Sequence, residues 1–283
     1  MILVTGAGGT VGTAVLAELR AAGHAPRAAY HTREKTERAK SAGHDAVTLD
    51  FGQPQTLKPA LAGVETVFLL GTGGMGQTEG ETNVVNAAKA AGVAKIVKLS
   101  VWGAAGEEFS FARIHRAVER VIEASGLAWT HLRPNGFMQN FVNYQAGSIK
   151  AQNAFYAPAG EARISHIDAR DIGRVAAQVL TASGHESRAY ELSGPQALSY
   201  ADAAEILSRV VGRKVGYVAV TDEAAKAGML AGGIPEFYAD YLIDLNQAYR
   251  RGLGDKVTTA VQDVTGRAPV AFEQFAQENA AAF

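Results

Sequence analysis

The chain of 283 residues has no cysteine, only 8 prolines and no excess of either charge, with 27 Lys and Arg against 28 Asp and Glu. Without cysteine there is no disulfide framework, no thiolate metal ligand and no thiol nucleophile. A net charge of −1 leaves none of the basic footprint that holds nucleic acid or an acidic membrane, so neither is expected as a partner. No apolar run approaches the ~18 residues of a membrane span, and Met1 leads straight into the strand-like ILVTG without a signal-peptide pattern. A cytoplasmic protein is expected. H-E-x-x-H, G-x-S-x-G, the Walker loop and the EF-hand pattern are also missing, and no metal is assigned. Glycine, by contrast, is abundant at 31 residues, about 11% against a usual ~7%. Hydrophobic residues make up 47%, enough for one large α/β domain, or such a domain with a smaller lobe.

Short apolar segments alternate with helical patterns from the first residue. MILVT reads as a buried strand, and TVGTAVLAELRAAG as a helix with Val11, Val15, Leu16 and Leu19 on its apolar face. APRAAY, HDAVTLD, VETVFLL, AKIVKLS and LAWTHLR follow as strands with helices between them. Strands separated by helices of ~10–15 residues make βαβ units, and right-handed crossovers then place helices on both faces of a parallel sheet. Past Pro134 the rhythm changes. Asn135 to Gly160 reads as a helix and then a loop, ARISHIDARDIGRVAAQVL as a strand and a helix, and RAYELSG as a further strand. SYADAAEILSRVVG is a helix opened by Ser199 as N-cap, KVGYVAV has strand character, and the remainder is mostly helical. The fold expected is α/β: a Rossmann-like, doubly wound parallel sheet with a smaller, mostly helical C-terminal lobe. Residues 1–150 would form the nucleotide-binding core, and residues 151–283 an interleaved part of that core plus a substrate-binding lobe.

TGAGGTVG closes the first strand and opens the first helix. Gly6, Gly9 and Gly12 give G-x-x-G-x-x-G; G-x-G-x-x-G fails because position 11 is Val11. In this spacing Gly6 makes the tight turn, Gly9 lets backbone approach a pyrophosphate, and Gly12 lets the helix pack closely on the strand. The amides around Thr10 and Val11 would face the phosphates from the positive end of the helix. At the end of a first strand within a run of βαβ units, the motif points to dinucleotide binding.

The chain also resembles the atypical short-chain dehydrogenases/reductases of the NmrA-like group, closest to their quinone oxidoreductase and triphenylmethane-dye reductase branch. The segments that carry the likeness include VTGAGGTVG, LDFGQPQTL, NVVNAAKAAGVAKIVKLS, RIHRAVERVIEASGLAWTHLRPNGFMQNF, IDARDIGRVAAQVL and YELSGPQALSYADAAEILSRVVGRKV, and they run through nearly the whole chain. The resemblance implies a nicotinamide-dependent reductase, although the group also holds redox sensors.

Sheets that bind NAD place an acid at the end of the second strand, about 20 residues past the glycines. Here the segment reads Tyr30, His31, Thr32, Arg33, Glu34, Lys35. With no acid at the tip and a guanidinium beside it, a 2′-phosphate is favoured, so NADPH is expected over NADH. The family often carries arginine where this chain has His31, and Arg33 can substitute; alternatively Arg33 and Lys35 only solvate the next helix. By resemblance, Asp50 meets the adenine amino group and Phe51 lies beside the ring, against the alternative of a strand-end turn and a core ring. Gly71, Thr72 and Gly73 fall where the chain passes the pyrophosphate and ribose, or else mark a mobile loop.

Most short-chain dehydrogenases use Tyr-x-x-x-Lys as a proton donor. None of the nine tyrosines here is followed four positions on by lysine. By resemblance the lysine position holds His115, which would bind the nicotinamide ribose or donate a proton, and Ser100 stands where a catalytic serine is usual. The alternatives are a surface His115–Glu119 pair and a plain turn hydroxyl. Pro134, Asn135, Gly136 and Phe137 would cover the nicotinamide, and Trp102, Phe137, Met138, Phe141 and Phe155 would wall an apolar acceptor pocket or else belong to the core. His166 and Asp168 are expected to be structural. The function expected is an NADPH-dependent oxidoreductase acting on a quinone or dye-like small molecule, as a monomer or homodimer. A redox sensor without turnover, or a ketone or imine reductase, are the alternatives.

Overall fold

The computed structural model describes residues 1–71 and 73–283, so Thr72 lies outside the described residues. The first half alternates strand and helix: β1 (Ile2–Val4), α1 (Thr10–Ala21), β2 (Arg27–Tyr30), α2 (Arg33–Ser41), β3 (Ala46–Thr48), α3 (Pro54–Ala60), β4 (Thr66–Leu69), α4 (Gln77–Ala90), β5 (Lys95–Leu99), α5 (Ser110–Ala124) and β6 (Ala128–Pro134). There follow α6 (Ala146–Gln152), β7 (Ala154–Ala157), β8 (Arg163–Ile164), α7 (Ala169–Thr181), β9 (Arg188–Leu192), β10 (Leu198–Ser199), α8 (Tyr200–Val211) and β11 (Gly216–Ala219). Four helices end the chain, α9 (Asp222–Ala231), α10 (Glu236–Arg250), α11 (Ala260–Thr265) and α12 (Phe272–Glu278). No helix of the described residues is long and apolar enough to cross a membrane.

The chain divides into two compact units, residues 1–104, 114–133 and 169–190 against 105–113, 134–168 and 191–283. The chain passes between the units after Ala104, Arg113, Arg133, Asp168 and Tyr190, the third of these at the end of β6. The first unit carries the seven-stranded sheet in the order β3-β2-β1-β4-β5-β6-β9, and every ladder from β3 to β6 is parallel. This is the doubly wound Rossmann order, whose strand sequence reverses direction beside β1, and ligands bind off the carboxyl ends of strands at such a point. Its core joins Leu3, Leu69, Val84, Ile96, Val118 and Ile122, all at most 1% exposed. The apolar stripe of α1 read from the sequence is buried as expected, at Val11, Val15, Leu16 and Leu19. Gly173 of α7 packs on Ala14, where an added Cβ would come within 2.9 Å of backbone.

In the second unit the stretch after β6 forms a widened helical turn at Phe141–Gln145 and then α6, as a helix was expected. The expected loop after it instead contains β7, which pairs in parallel with β11. That partner lies some sixty residues on in sequence, and no local pattern announces the pairing. Helix α8 begins as the sequence suggested: the Ser199 hydroxyl accepts from the Asp202 amide, and the Asp202 carboxylate accepts from the Ser199 amide. Such reciprocal capping satisfies two otherwise orphaned donors.

Candidate active site

The three motif glycines have three different reasons to be glycine. Gly6 sits at φ +61°, in the left-handed region, and a side chain there would press on Leu70 at 2.8 Å. At Gly12 an added Cβ would lie 2.1 Å from the Gly6 carbonyl oxygen, so the helix could not seat on the turn. Gly9 is different. It is the N-cap of α1 with φ −91° and ψ 172°, a conformation open to any residue, and among the described residues a Cβ there would meet only the Gly6 oxygen at 3.4 Å. Nothing among the described residues requires glycine at this position. The helix start also lacks a side-chain cap, so its first amides keep their bonding capacity and the positive end of the dipole. An unobstructed helix start of this kind fits an anion's approach.

At the tip of β2, His31 and Arg33 are exposed, and Arg33 is the first residue of α2, whose N-cap Thr32 accepts from the Lys35 amide. His31 Nε2 lies 3.5 Å from the Asp50 carboxylate. That carboxylate accepts from the Gly52 amide and the Gln53 side chain, both at 2.9 Å, which makes Asp50 the keystone of its own turn. Phe51 is half-buried against Gly80, where a Cβ would touch it at 3.0 Å.

Gly71, just after β4, lies against a buried polar network. A side chain at Gly71 would collide with Glu81 Oε1 at 2.2 Å. Glu81 and Lys98 are both fully buried and bonded to each other. Gln77 Nε2 donates to Glu81 Oε1 at 2.9 Å and lies 3.4 Å from His115 Nε2. His115 Nδ1 and Gln77 Oε1 are buried without a partner among the described residues. Burial, reinforced by the nearby Lys98 ammonium, holds the His115 imidazole well below its usual 6.5, with Glu119 pulling weakly the other way. His115 is therefore neutral at physiological pH.

Glu119 does not form the surface pair with His115 that its spacing allowed. It is fully buried, and it accepts from Arg133 at 2.9 and 2.7 Å and from the Ser100 hydroxyl at 2.6 Å. Burial alone would raise this carboxyl, but the bonds from Arg133 and Ser100 outweigh it and hold it at about 2. The Ser100 hydroxyl hydrogen is thus committed to a hydrogen bond with Glu119, and its oxygen can only accept from a ligand. Glu119, Glu123 and His131 lie close enough together to suggest metal ligands. Arg116 and Arg133 already place positive charge on both carboxylates, where a cation would have to sit.

In the second unit, the segment after β6 runs alongside Ile167: the Ile167 amide donates to the Gly136 carbonyl and the Met138 amide to the Ile167 carbonyl, both at 2.9 Å. Asn135 is buried, donates to Ser165 and the Gly254 carbonyl at 2.9 Å, and accepts from the Tyr249 hydroxyl. Pro134 is buried and Phe137 half-buried. Met138, Phe141 and Phe155 are at most 2% exposed and pack with Tyr200, Phe272 and one another, with Phe141 edge-on to Phe155 at 5.7 Å. Trp102, in the first unit, is buried as well. His166 sits against Phe141 and Tyr200, and burial lowers it to about 4, in keeping with a structural role. A set of open rings that sequence reading passed over lies elsewhere in this unit. Phe111 meets Tyr238 and Tyr241 edge-on at 5.6 and 5.4 Å, Phe237 adjoins both, and all four are half-buried. Tyr144, which is exposed, lies near enough to help burial raise the Tyr238 hydroxyl.

Several relatives cover the whole chain. An NAD(P)H azoreductase from Xenophilus azovorans is 39% identical over 284 residues, spanning 100% of this chain and 99% of that protein. The triphenylmethane reductase of a Citrobacter species, solved with NADP(H), superposes with a TM-score of 0.89 at 27% identity, covering 99% of this chain and 100% of its own. The NADPH-dependent quinone oxidoreductase of Escherichia coli, solved with NADPH, gives a TM-score of 0.89 at 26% identity, covering 98% and 99%. A model of the NmrA-like family matches residues 1–268. By that match and by its full-length relatives, the chain belongs to the NmrA-like family.

Proposed function

We propose that the protein is an NADPH-dependent oxidoreductase that passes hydride directly to an aromatic or conjugated acceptor, such as a quinone or a cationic dye, with no side chain as obligatory acid. The observation that carries this is the start of α1, where an uncapped helix and a Gly9 that no described neighbour explains fit a pyrophosphate. Its coarser part, an NAD(P)H-dependent reductase, is supported by full-length relatives of that chemistry.

When bound, the cofactor supplies the hydride; the chain's residues bind, orient and exclude water. Gly6, Gly9 and Gly12, with the amides at Thr10 and Val11, hold the pyrophosphate. Arg33, with His31 beside it, takes the 2′-phosphate, while Asp50 and Phe51 face the adenine. Gly71 and Gly73 flank the ribose, and Pro134, Asn135, Gly136 and Phe137 the nicotinamide. Trp102, Met138, Phe141 and Phe155 are buried, each within its own unit, and the acceptor stacks on a more open ring such as Phe137.

Two features of the protonation pattern support hydride transfer without a protein acid. A neutral His115 offers a hydrogen bond but no readily lost proton, and the Ser100 hydrogen is held by Glu119. A cationic dye needs no proton, because hydride forms the new C–H bond and neutralises the positive charge. A quinone becomes a hydroquinone anion on receiving hydride and takes its proton from water.

The direct test is NADPH oxidation against a panel of quinones, cationic dyes, azo compounds and ketones; binding without oxidation of any of them would mean a sensor. His115→Ala is expected to cost less than about tenfold in kcat on a quinone, against the 10²–10⁴ typical of a positioned acid, and to raise KM for NADPH. The pH profile should show no step near 6.5, since the imidazole is already neutral there. A hundredfold loss in kcat would contradict the acid-free mechanism. Arg33→Asp should weaken NADPH by one to two orders of magnitude, about 1.5–3 kcal/mol for a charge-assisted bond, and leave NADH nearly unchanged. Fluorescence titration of both cofactors checks it, and equal losses would remove Arg33 from the phosphate.

A further inference from the structure

We propose that Gln77, Glu81 and Lys98 are positioning residues that lock His115 in one neutral tautomer, with Nε2 bare and the proton on Nδ1, so that the ring offers an N–H to an oxygen of the bound ligand. The part about the ligand rests on the proposed cofactor dependence; the tautomer does not.

The tautomer follows from tracking donors inward from the buried ion pair. The Lys98 ammonium has hydrogens only to give, and it donates to Glu81 Oε2 and to the Leu99 carbonyl at 3.2 Å. The other carboxylate oxygen, Glu81 Oε1, accepts at 2.9 Å from the Gln77 amide. Turning that amide over would bring its carbonyl oxygen against a carboxylate oxygen, two acceptors with no hydrogen between them. The ion pair therefore fixes which end of Gln77 is nitrogen. That same nitrogen lies 3.4 Å from His115 Nε2. An amide nitrogen donates and does not accept, so the contact is a hydrogen bond only if Nε2 is bare. A doubly protonated ring would set one N–H against another, and burial beside Lys98 already disfavours it.

With Nε2 bare, the remaining proton is on Nδ1, the buried ring atom left without a partner among the described residues. Gln77 Oε1 is a buried acceptor left in the same condition. One unpaired donor and one unpaired acceptor, on two side chains in contact, suit a hydroxyl, which both gives and takes a hydrogen bond; a carbonyl oxygen would satisfy Nδ1 alone. Unsatisfied buried polar atoms are rare enough that each asks for a partner. The charged groups facing the ring are Lys98 from β5 and Glu119 from its own helix, with Glu81 of α4 reached through Gln77.

The wild-type protein decides the tautomer without any variant. Two-bond ¹H–¹⁵N spectra of the full chain labelled with ¹⁵N-histidine, with the His115 signals identified by their loss in His115→Gln, should show a protonated Nδ1 and a bare Nε2 at neutral pH. A proton on Nε2 overturns the proposal. In Gln77→Leu, shown by melting to be folded, the fixed pattern should be lost; an unchanged spectrum also overturns it. The same variant should raise Kd for NADPH about five- to tenfold if a cofactor hydroxyl meets Nδ1, or KM for the acceptor by a similar factor if its oxygen does. If neither moves, the ring does not serve a ligand. A wild-type protein that fails to bind NADPH would instead remove the proposed function, while the spectrum would still report the tautomer.

Discussion

Gly9→Val is expected to fold and yet to lose at least a hundredfold in NADPH affinity, about 2.7 kcal/mol. The backbone at this position is ordinary extended geometry, and the nearest atom to an added Cβ is the Gly6 oxygen at 3.4 Å. Replacing glycine at an N-cap by valine costs about 1 kcal/mol, so circular dichroism should show a native spectrum and a modestly lowered Tm. The branched side chain would stand in front of the α1 amides, where a pyrophosphate must approach. Gly12→Ala is the internal control, because its Cβ would lie 2.1 Å from backbone and the protein should be destabilised whatever it binds. If Gly9→Val is unfolded, its glycine is structural. If it is folded and binds NADPH normally, the loop does not hold the cofactor.

Lys98→Met should be the most destabilising single change in the first unit. Lys98 and Glu81 are both fully buried, and removing one partner strands the other's charge, typically costing about 3–5 kcal/mol. Against a total stability of roughly 5–15 kcal/mol, that is a large share, visible in urea melts as a midpoint shift at unchanged slope. The double variant Lys98→Met, Glu81→Leu should recover much of the loss, since apolar replacement of a buried pair is often nearly neutral. It should not recover the fixed His115 tautomer, because Gln77 then lacks the carboxylate that orients it. A single variant within about 1 kcal/mol of wild type would mean the pair is not buried as described.

Much of this was legible in the chain. The glycine loop, the amphipathic α1 and the Ser199 cap depend on residues within a turn or two of one another, and local spacing specifies them. The doubly wound parallel sheet follows from repeated βαβ units and the handedness of their crossovers. What escaped depends on long-range pairing. Glu119 is taken up by Arg133 of β6 and Ser100 at the end of β5, and its helical spacing from His115 gave no sign of that. The Lys98–Glu81 pair joins a central strand to a helix, and a lysine in so apolar a strand as KIVKL was the available clue. Gly71 also has a packing reason to be glycine, the buried Glu81 carboxylate beside it, and no neighbouring sequence signals that contact. Met138, Phe141 and Phe155 could be assigned to core or wall only once their partners Tyr200 and Phe272 were in place. The open rings of Phe111 and α10 come from distant segments that share no motif.

Hydride transfer from cofactor to acceptor carbon is tested most directly by isotope. The protein is supplied with NADPH carrying deuterium at the transferring face of nicotinamide C4, together with a cationic triarylmethane dye, and the colourless product is analysed by mass spectrometry. The predicted result is decolorisation that consumes one NADPH per dye, with one deuterium retained on the central carbon of the product. Saturable NADPH binding with no oxidation, or a reduced dye whose new hydrogen comes from solvent, would contradict direct hydride transfer.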